Sequence, residues 1–224
     1  MRKIKKFLWK TFLWFNIISI GLVVVFKFIP VYFTPLMAIR AVQNWQNDQE
    51  IIFSHTWVSL DEINSNLPKA VIASEDGKFL NHNGFDFEAM KMAYDGNKKG
   101  KKIKGGSTIS QQTAKNVFLW QGRSYIRKGL EAYYTVLIEL IWSKKRIMEV
   151  YLNSIEMGKG VYGAQAAAKH WYSKDAKNLS REQAAGIAAI LPAPLRFKAS
   201  NSSGYITRRK TKIARYLQDV KWEE

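Results

Sequence analysis

The sequence has no cysteine among its 224 residues, which excludes a disulfide, a thiol nucleophile and a cysteine-ligated metal. That absence suits the cytoplasm and the bacterial periplasm alike. Acids are scarce as well: 18 Asp and Glu stand against 35 Lys and Arg, a formal charge of +17. Such an excess points to an anionic partner, whether nucleic acid, an acidic membrane face or a phosphate-bearing substrate. Strand-like alternation is rare, apart from a short extended candidate at EIIFSHTWVSL. No repeat, Ser/Pro linker or low-complexity tract interrupts residues 40–224. One mostly helical domain is expected, and a chain of this length can build a proper core of about 150–200 residues.

Charge is missing altogether from the sixteen residues TFLWFNIISIGLVVVF. Just before them, MRKIKKFLWK carries five basic residues and no acid. Lys27 interrupts the apolar run, but a lysine near a helix end snorkels to the headgroups, so residues 8–29 are long enough to cross roughly 30 Å of hydrocarbon. The basic flank keeps the start of the chain in the cytoplasm and sends the remainder outward. No small-x-small cleavage site follows, and Pro30 and Pro35 sit among bulky residues, so an uncleaved anchor is expected rather than a signal peptide. The expected organisation is a basic tail over 1–7, an anchor over 8–29 and a globular domain over 30–224. Without the five basic residues of the first ten the charge is still +12. Outside the cytoplasm, nucleic acid drops out as a partner and anionic headgroups or a lipid-linked phosphate replace it.

Beyond the anchor the patterning is helical. SNLPKAVIASED has a polar start, a proline near the first turn and apolar Leu67, Ala70 and Val71 at helical spacing. RKGLEAYYTVLIELIW carries the stripe Leu130, Tyr134, Leu137, Ile138 and Ile141, and KKRIMEVYLNSI follows it. LSREQAAGIAAILP opens with capping-box spacing at Ser180 and Gln183 and stops at Pro192. YITRRKTKIARYLQDV predicts a last basic helix with Ile206, Ile213, Leu217 and Val220 inward.

Two stretches carry more polar chemistry than folding requires. The pair Glu75-Asp76 closes a helix, where the carbonyl dipoles are already negative; it reads as a functional acid pair or as a solvated turn. His82 by itself reads as a hydrogen-bonded structural residue. KGGSTISQQTAKN starts a helix with Gly105-Gly106 and places Ser107, Thr108, Gln111, Gln112, Lys115 and Asn116 along it. That start reads as an anion cradle at a helix amino terminus, or as a capped surface helix.

Taken together, these stretches resemble the peptidoglycan glycosyltransferases, or transglycosylases. EDGKFLNHNGFD matches that family's first motif, GGSTISQQTAKN its second and RKGLE its third. IMEVYLNSIEMGKGVYGAQAAAKHWYSK resembles the fourth and LSREQAAGIAAILPAPLRF the fifth, in the same order from about residue 60 to 215. One departure stands in the fourth, where Ser173 replaces a glycine. The resemblance implies a mainly α, lysozyme-like lobe with a smaller membrane-apposed jaw behind one N-terminal transmembrane helix. It implies polymerisation of lipid II disaccharide-peptide units into glycan, with inversion and release of undecaprenyl pyrophosphate. With no room left for a transpeptidase domain, a monofunctional enzyme is expected.

By the same resemblance, Glu75 is the general base on the acceptor hydroxyl and Glu131 a second essential acid, although Glu131 also reads as a simple i−4 partner of Arg127. Lys115 and Arg123 bind the donor pyrophosphate with help from Arg127 and Lys128. Ser107, Thr108, Gln111, Gln112 and Asn116 line the donor side, and Asp76 supports the base. No cofactor is required, and a divalent metal (Mg or Mn) at the pyrophosphate stays open. The implied partners are lipid II, the lipid-linked glycan strand, the membrane and proteins of a wall-synthesis complex, with no nucleic acid. The implied place is the bacterial cytoplasmic (inner) membrane, single-pass, with the catalytic domain on the periplasmic side. A lysozyme-like hydrolase and a non-catalytic anchored scaffold are the rival readings. The hydrolase would need neither an anchor nor a cationic site.

Overall fold

The computed structural model describes residues 2–98, 106–122 and 124–222. The amino-terminal run forms one helix, α1 (Arg2–Phe28), which starts inside the basic tail rather than after it. It is long and apolar enough to cross a membrane, with a mean hydropathy of 1.9 over its best window. Most of its large apolar side chains are exposed, but Ser19 and Val23 are buried. Thr34 then caps α2 (Pro35–Gln46), which carries its proline in the first turn, where the missing amide costs nothing.

The extended segment foreseen near residue 54 is β1 (Ser54–His55). It pairs in parallel with β3 (Val161–Tyr162), which pairs antiparallel with β2 (Glu156–Gly158) across a bulge between Glu156 and Gly158. The sheet is small. Among the described residues everything else of length is helical, so the molecule is mainly α.

The helices follow the apolar patterning. α3 (Asn66–Glu75) buries Leu67, Ala70 and Val71, the face its sequence marked. α4 (Phe87–Lys98) keeps Phe87, Met92 and Tyr94 exposed. α5 (Ile109–Phe118) is followed by α6 (Tyr125–Ile141) and α7 (Lys144–Ser154), and both α6 and α7 pack against α5. α8 (Ala164–Tyr172) stops at Ser173, whose φ of 53° is the left-handed conformation that glycine adopts without strain.

The capping box on Ser180 and Gln183 is formed and starts α9 (Arg181–Ile190). Its Ala184, Ala185, Ala188 and Ala189 present almost no bulk, which lets α3 and α10 (Gly204–Tyr216) close on it from two sides. Ile187 and Ile190 fill what remains and are wholly buried, so truncating either to alanine costs about 2–5 kcal/mol. The same core continues through Phe79, Ile138, Ile147, Met148, Tyr151 and Leu152.

Candidate active site

Glu75 is the last residue of α3, and its side chain is only 13% exposed. Three groups orient its carboxylate. Ser74 has one hydroxyl proton, given either to Glu75 Oε1 at 3.0 Å or to the Ala188 carbonyl at 3.2 Å. Gln112 Nε2 donates to Oε2 at 3.4 Å, and Tyr151 fixes that amide by donating to Gln112 Oε1 at 3.3 Å. Arg209 of α10 donates through Nη2 to Ser74 Oγ at 2.8 Å and to Glu75 Oε1 at 3.4 Å. Burial raises the Glu75 pKa above the usual carboxylate range; the Ser74 hydrogen bond, the Arg209 charge and Gln112 pull it back, and the Asp76 charge adds to the rise. A desolvated carboxyl with a raised pKa is suited to accept a proton near neutrality.

Asp76 has a different task. It accepts His82 Nε2 at 2.9 and 3.0 Å and the Ile109 amide at 2.9 Å. The Gly84 amide donates to His82 Nδ1 at 3.1 Å, so the neutral ring carries its proton on Nε2 and gives it to Asp76. His82 is therefore the structural residue its isolation suggested. Gly84 has φ 89°, and a Cβ there would lie 2.7 Å from Thr135 Cγ2, so only glycine lets this loop close against α6.

The amino terminus of α5 is tied into the rest of the fold. Its first amide is bound by Asp76, and the Gln111 amide is bound by Thr108 Oγ1 at 3.1 Å. Thr108 and Gln111 form a reciprocal capping box, and Thr108 Oγ1 also donates to the Gly84 carbonyl at 2.6 Å. The anion at this helix start is the protein's own Asp76. Thr108, Gln111 and Asn116 are each buried to within 3% exposure. Ser110 and Thr113 also face inward, bonded to Glu139 and to the Ile109 carbonyl. Ser107 and Gln112 remain half-buried. Gly105 lies outside the described residues.

One turn beyond Gln112, about 4.5 Å of helix rise, stands Lys115. Burial lowers its pKa, the Glu131 charge opposes this, and the charges of Arg127 and Lys128 reinforce it. Glu131, on α6, accepts Arg127 Nη1 at 2.8 Å and Lys128 Nζ. Three cations around one carboxylate leave a net positive group, and Arg127 Nε is buried with no hydrogen-bond partner among the described residues. A buried guanidinium donor left without a partner is uncommon. Arg123, the other expected pyrophosphate ligand, lies outside the described residues. Among those residues no three His, Asp or Glu side chains converge, and Glu131 is already held by two cations.

Residues 43–218 match the family model described as Transglycosylase. The chain belongs to the transglycosylase family. Its helical fold is the lysozyme-like one of that family. The chain is 52% identical to a biosynthetic peptidoglycan transglycosylase of Bacteroides thetaiotaomicron, over 98% of this chain and 89% of the relative. It is 55% identical to a protein of the same description from Caulobacter vibrioides, over 86% of this chain and 82% of the relative. A third, from Pseudomonas putida, is 51% identical over 94% and 89%.

Within this transglycosylase, sequence reasoning missed Ser74, Tyr151 and Arg209. A signal for Arg209 was present. It lies three residues after Ile206 and four before Ile213, on the inward stripe of α10, where a charge needs a partner.

Proposed function

We propose that this peptidoglycan glycosyltransferase extends glycan strands by direct displacement, with a lipid-linked disaccharide-peptide diphosphate (lipid II) as a substrate. Glu75 takes the proton from the acceptor sugar's 4-hydroxyl. The oxygen attacks the donor's anomeric carbon from the opposite face, and the sugar–phosphate bond breaks with inversion. Undecaprenyl pyrophosphate leaves with the bonding electrons and gathers charge in the transition state. Lys115, Arg127 and Lys128 stabilise that charge more than the ground state. A diphosphate is a competent leaving group, so no acid need protonate it. Glu131 fixes the two cations on α6 rather than acting on the sugar, and no step is routed through a metal.

The observation that carries this reading is the arrangement along α5. A buried, three-way oriented carboxylate is tied to α5 through Gln112, and Lys115, three residues further along that helix, belongs to a cationic group that includes an unpartnered guanidinium donor. A hydrolase would need the carboxylate but not the cations. With α1 as a single-pass anchor, the exposed Phe87, Met92 and Tyr94 of α4 form the jaw against the outer leaflet, on the periplasmic side of the inner membrane. The test is to supply purified lipid II and, separately, finished wall to the full chain in detergent. Polymer from the first and no fragments from the second is the expected result; fragments from wall without polymer would establish the hydrolase instead.

A further inference from the structure

Glu139 of α6 and Lys144 of α7 form an ion pair that the displacement chemistry does not use. Their side chains are 7% and 23% exposed, so the pair lies inside the molecule rather than on its surface. Lys144 is the first residue of α7, and Lys145 and Arg146 follow it with no acid in that turn. A cation at a helix amino terminus opposes the macrodipole, so something outside the helix must hold it there.

The contacts of the ammonium show what does. Lys144 Nζ donates to Glu139 Oε1 at 2.8 Å and to the His82 carbonyl at 2.7 Å, and it stands 4.7 Å from the centroid of the Phe79 ring. Two acceptors and one aromatic face match the three protons of an ammonium. Glu139 Oε1 also accepts the Ser110 hydroxyl. The loop at Gly84 closes on the same carboxylate's stem, where an added Cβ would come within 3.0 Å of Glu139 Cγ.

These contacts join the two segments that meet at Glu75. One is the segment after α3, which holds Phe79 and His82 and is bound to Asp76 through the His82 ring. The other is the first turn of α5, held by Asp76 at the Ile109 amide and by Glu139 at Ser110. Gln112 stands two residues after Ser110 and reaches Glu75 Oε2 at 3.4 Å. A contact of that length has only about 0.2 Å to spare before it ceases to be a hydrogen bond.

We propose that Glu139 and Lys144 are positioning residues for the reaction: their pair fixes the start of α5 against the Glu75-Asp76 turn and so keeps Gln112 on the base. Neither touches the reacting atoms. The catalytic consequence rests on the reading of Glu75 as the base; the placement of Gln112 does not, and it is measured without turnover.

The test replaces both partners, Glu139→Met with Lys144→Met, in the full chain in detergent. Exchanging a buried ion pair for apolar side chains of similar size leaves no charge unpaired, so Tm should stay near that of the parent. The net charge is unchanged as well. The readout is the pH titration of the Glu75 carboxyl carbon by 13C NMR, with its resonance identified by its loss in Glu75→Gln. The Gln112 hydrogen bond pulls the Glu75 pKa down, so losing it should move the titration to higher pH. Arg209, Asp76 and Tyr151, the ionisable groups that face this carboxylate, are kept. Polymerisation should fall about 10–10²-fold in kcat, with KM within about threefold. If the pair only holds the fold together, a folded double variant will titrate and turn over like the parent, and that result overturns the proposal. Glu75 titrating at lower pH overturns it too. Should the double variant fail to fold, Ser110→Ala cuts the link between α5 and Glu139 without changing any charge. It should move the titration the same way, and no shift overturns the proposal. Absence of polymer from the unsubstituted chain would refute the polymerase reading instead, and leaves the titration readable.

Discussion

Glutamine at position 75 keeps the volume of the side chain and its Ser74 and Gln112 neighbours but removes the charge. Two consequences of opposite sign follow. The acceptor hydroxyl loses its base, which costs about 10²–10⁴ in kcat, equivalent to about 2.7–5.5 kcal/mol of barrier. Donor binding should hold, because Lys115, Arg127 and Lys128 do not touch Glu75 directly. Stability should not fall. Burial raises the Glu75 pKa in the folded state. A carboxyl raised in this way contributes stability when protonated, and that contribution is lost as pH rises through the folded pKa. At neutral pH the ionised carboxylate is therefore a burden that a permanently neutral glutamine removes. In a chain of this size each kcal/mol regained is worth about 2–4 °C in Tm. The assay is single-turnover polymerisation of lipid II beside thermal melting in the same detergent. Polymerisation within about tenfold of the parent would defeat the assignment of the base. A fall in Tm large enough to explain the lost activity would defeat the electrostatic reasoning.

Arg209→Gln removes a charge that holds the Glu75 pKa down, so the acid limb of the kcat/KM profile should move to higher pH. A uniform loss across pH would show that Arg209 acts otherwise. Lys115→Met should cost about 10²–10³ in kcat/KM, as removal of a fixed transition-state charge does, with Tm unchanged or raised because a buried charge has gone; unchanged turnover would sink the diphosphate assignment. Thr108→Ala breaks the capping box and should cost about 1 kcal/mol, read as a lower Tm. Its KM for lipid II should stay put; a raised KM with a normal Tm would restore the residue to the substrate. Ser173→Gly relieves a left-handed serine and should raise stability by about 0.5–1 kcal/mol without touching activity, checked by denaturant midpoint.

What the sequence made legible follows from how local each determinant is. The capping box at Ser180 and the inward stripe of α10 are read from neighbours a turn apart, and both formed. The role of Thr108 is not local. Its motif offers two uses for the same hydroxyl, and only the approach of Gly84 and Asp76, twenty-four and more residues away, commits this helix start to the fold. The polar density of residues 107–116 therefore has two sources. One face closes the helix end and packs inward; the other, with Gln112 and Lys115, turns toward Glu75 and Glu131. Arg209 lies 134 residues from Glu75, so composition alone counted it among many basic residues.

The anchor shows the same limit from the apolar side. Hydropathy tells how long α1 is, but lipid and a protein core read alike, so it cannot tell which side meets which. The finer signal lies in Asn16, Ser19, Val23 and Phe26, spaced three, four and three residues apart and so on one helix face. That face meets the catalytic helices: Tyr133 donates to Asn16 Oδ1 at 2.9 Å, and Ser19 and Tyr134 share a buried hydroxyl contact at 3.0 Å. Trp142 Nε1 donates to the Val23 carbonyl at 2.7 Å. Arg146 closes the helix end through the Phe26 carbonyl, with Nη2 at 2.8 Å and Nε at 3.1 Å. Cations satisfying the last carbonyls of a helix are favoured both by hydrogen bonding and by the macrodipole. With α1 in the bilayer, as proposed, α6 is fixed to the span itself and not hung from a linker. Glu131, Arg127 and Lys128 ride on α6, and Lys115 packs against it from α5. α1 and α6 run in the same direction, and the position of the cationic group relative to α1 is set by that packing.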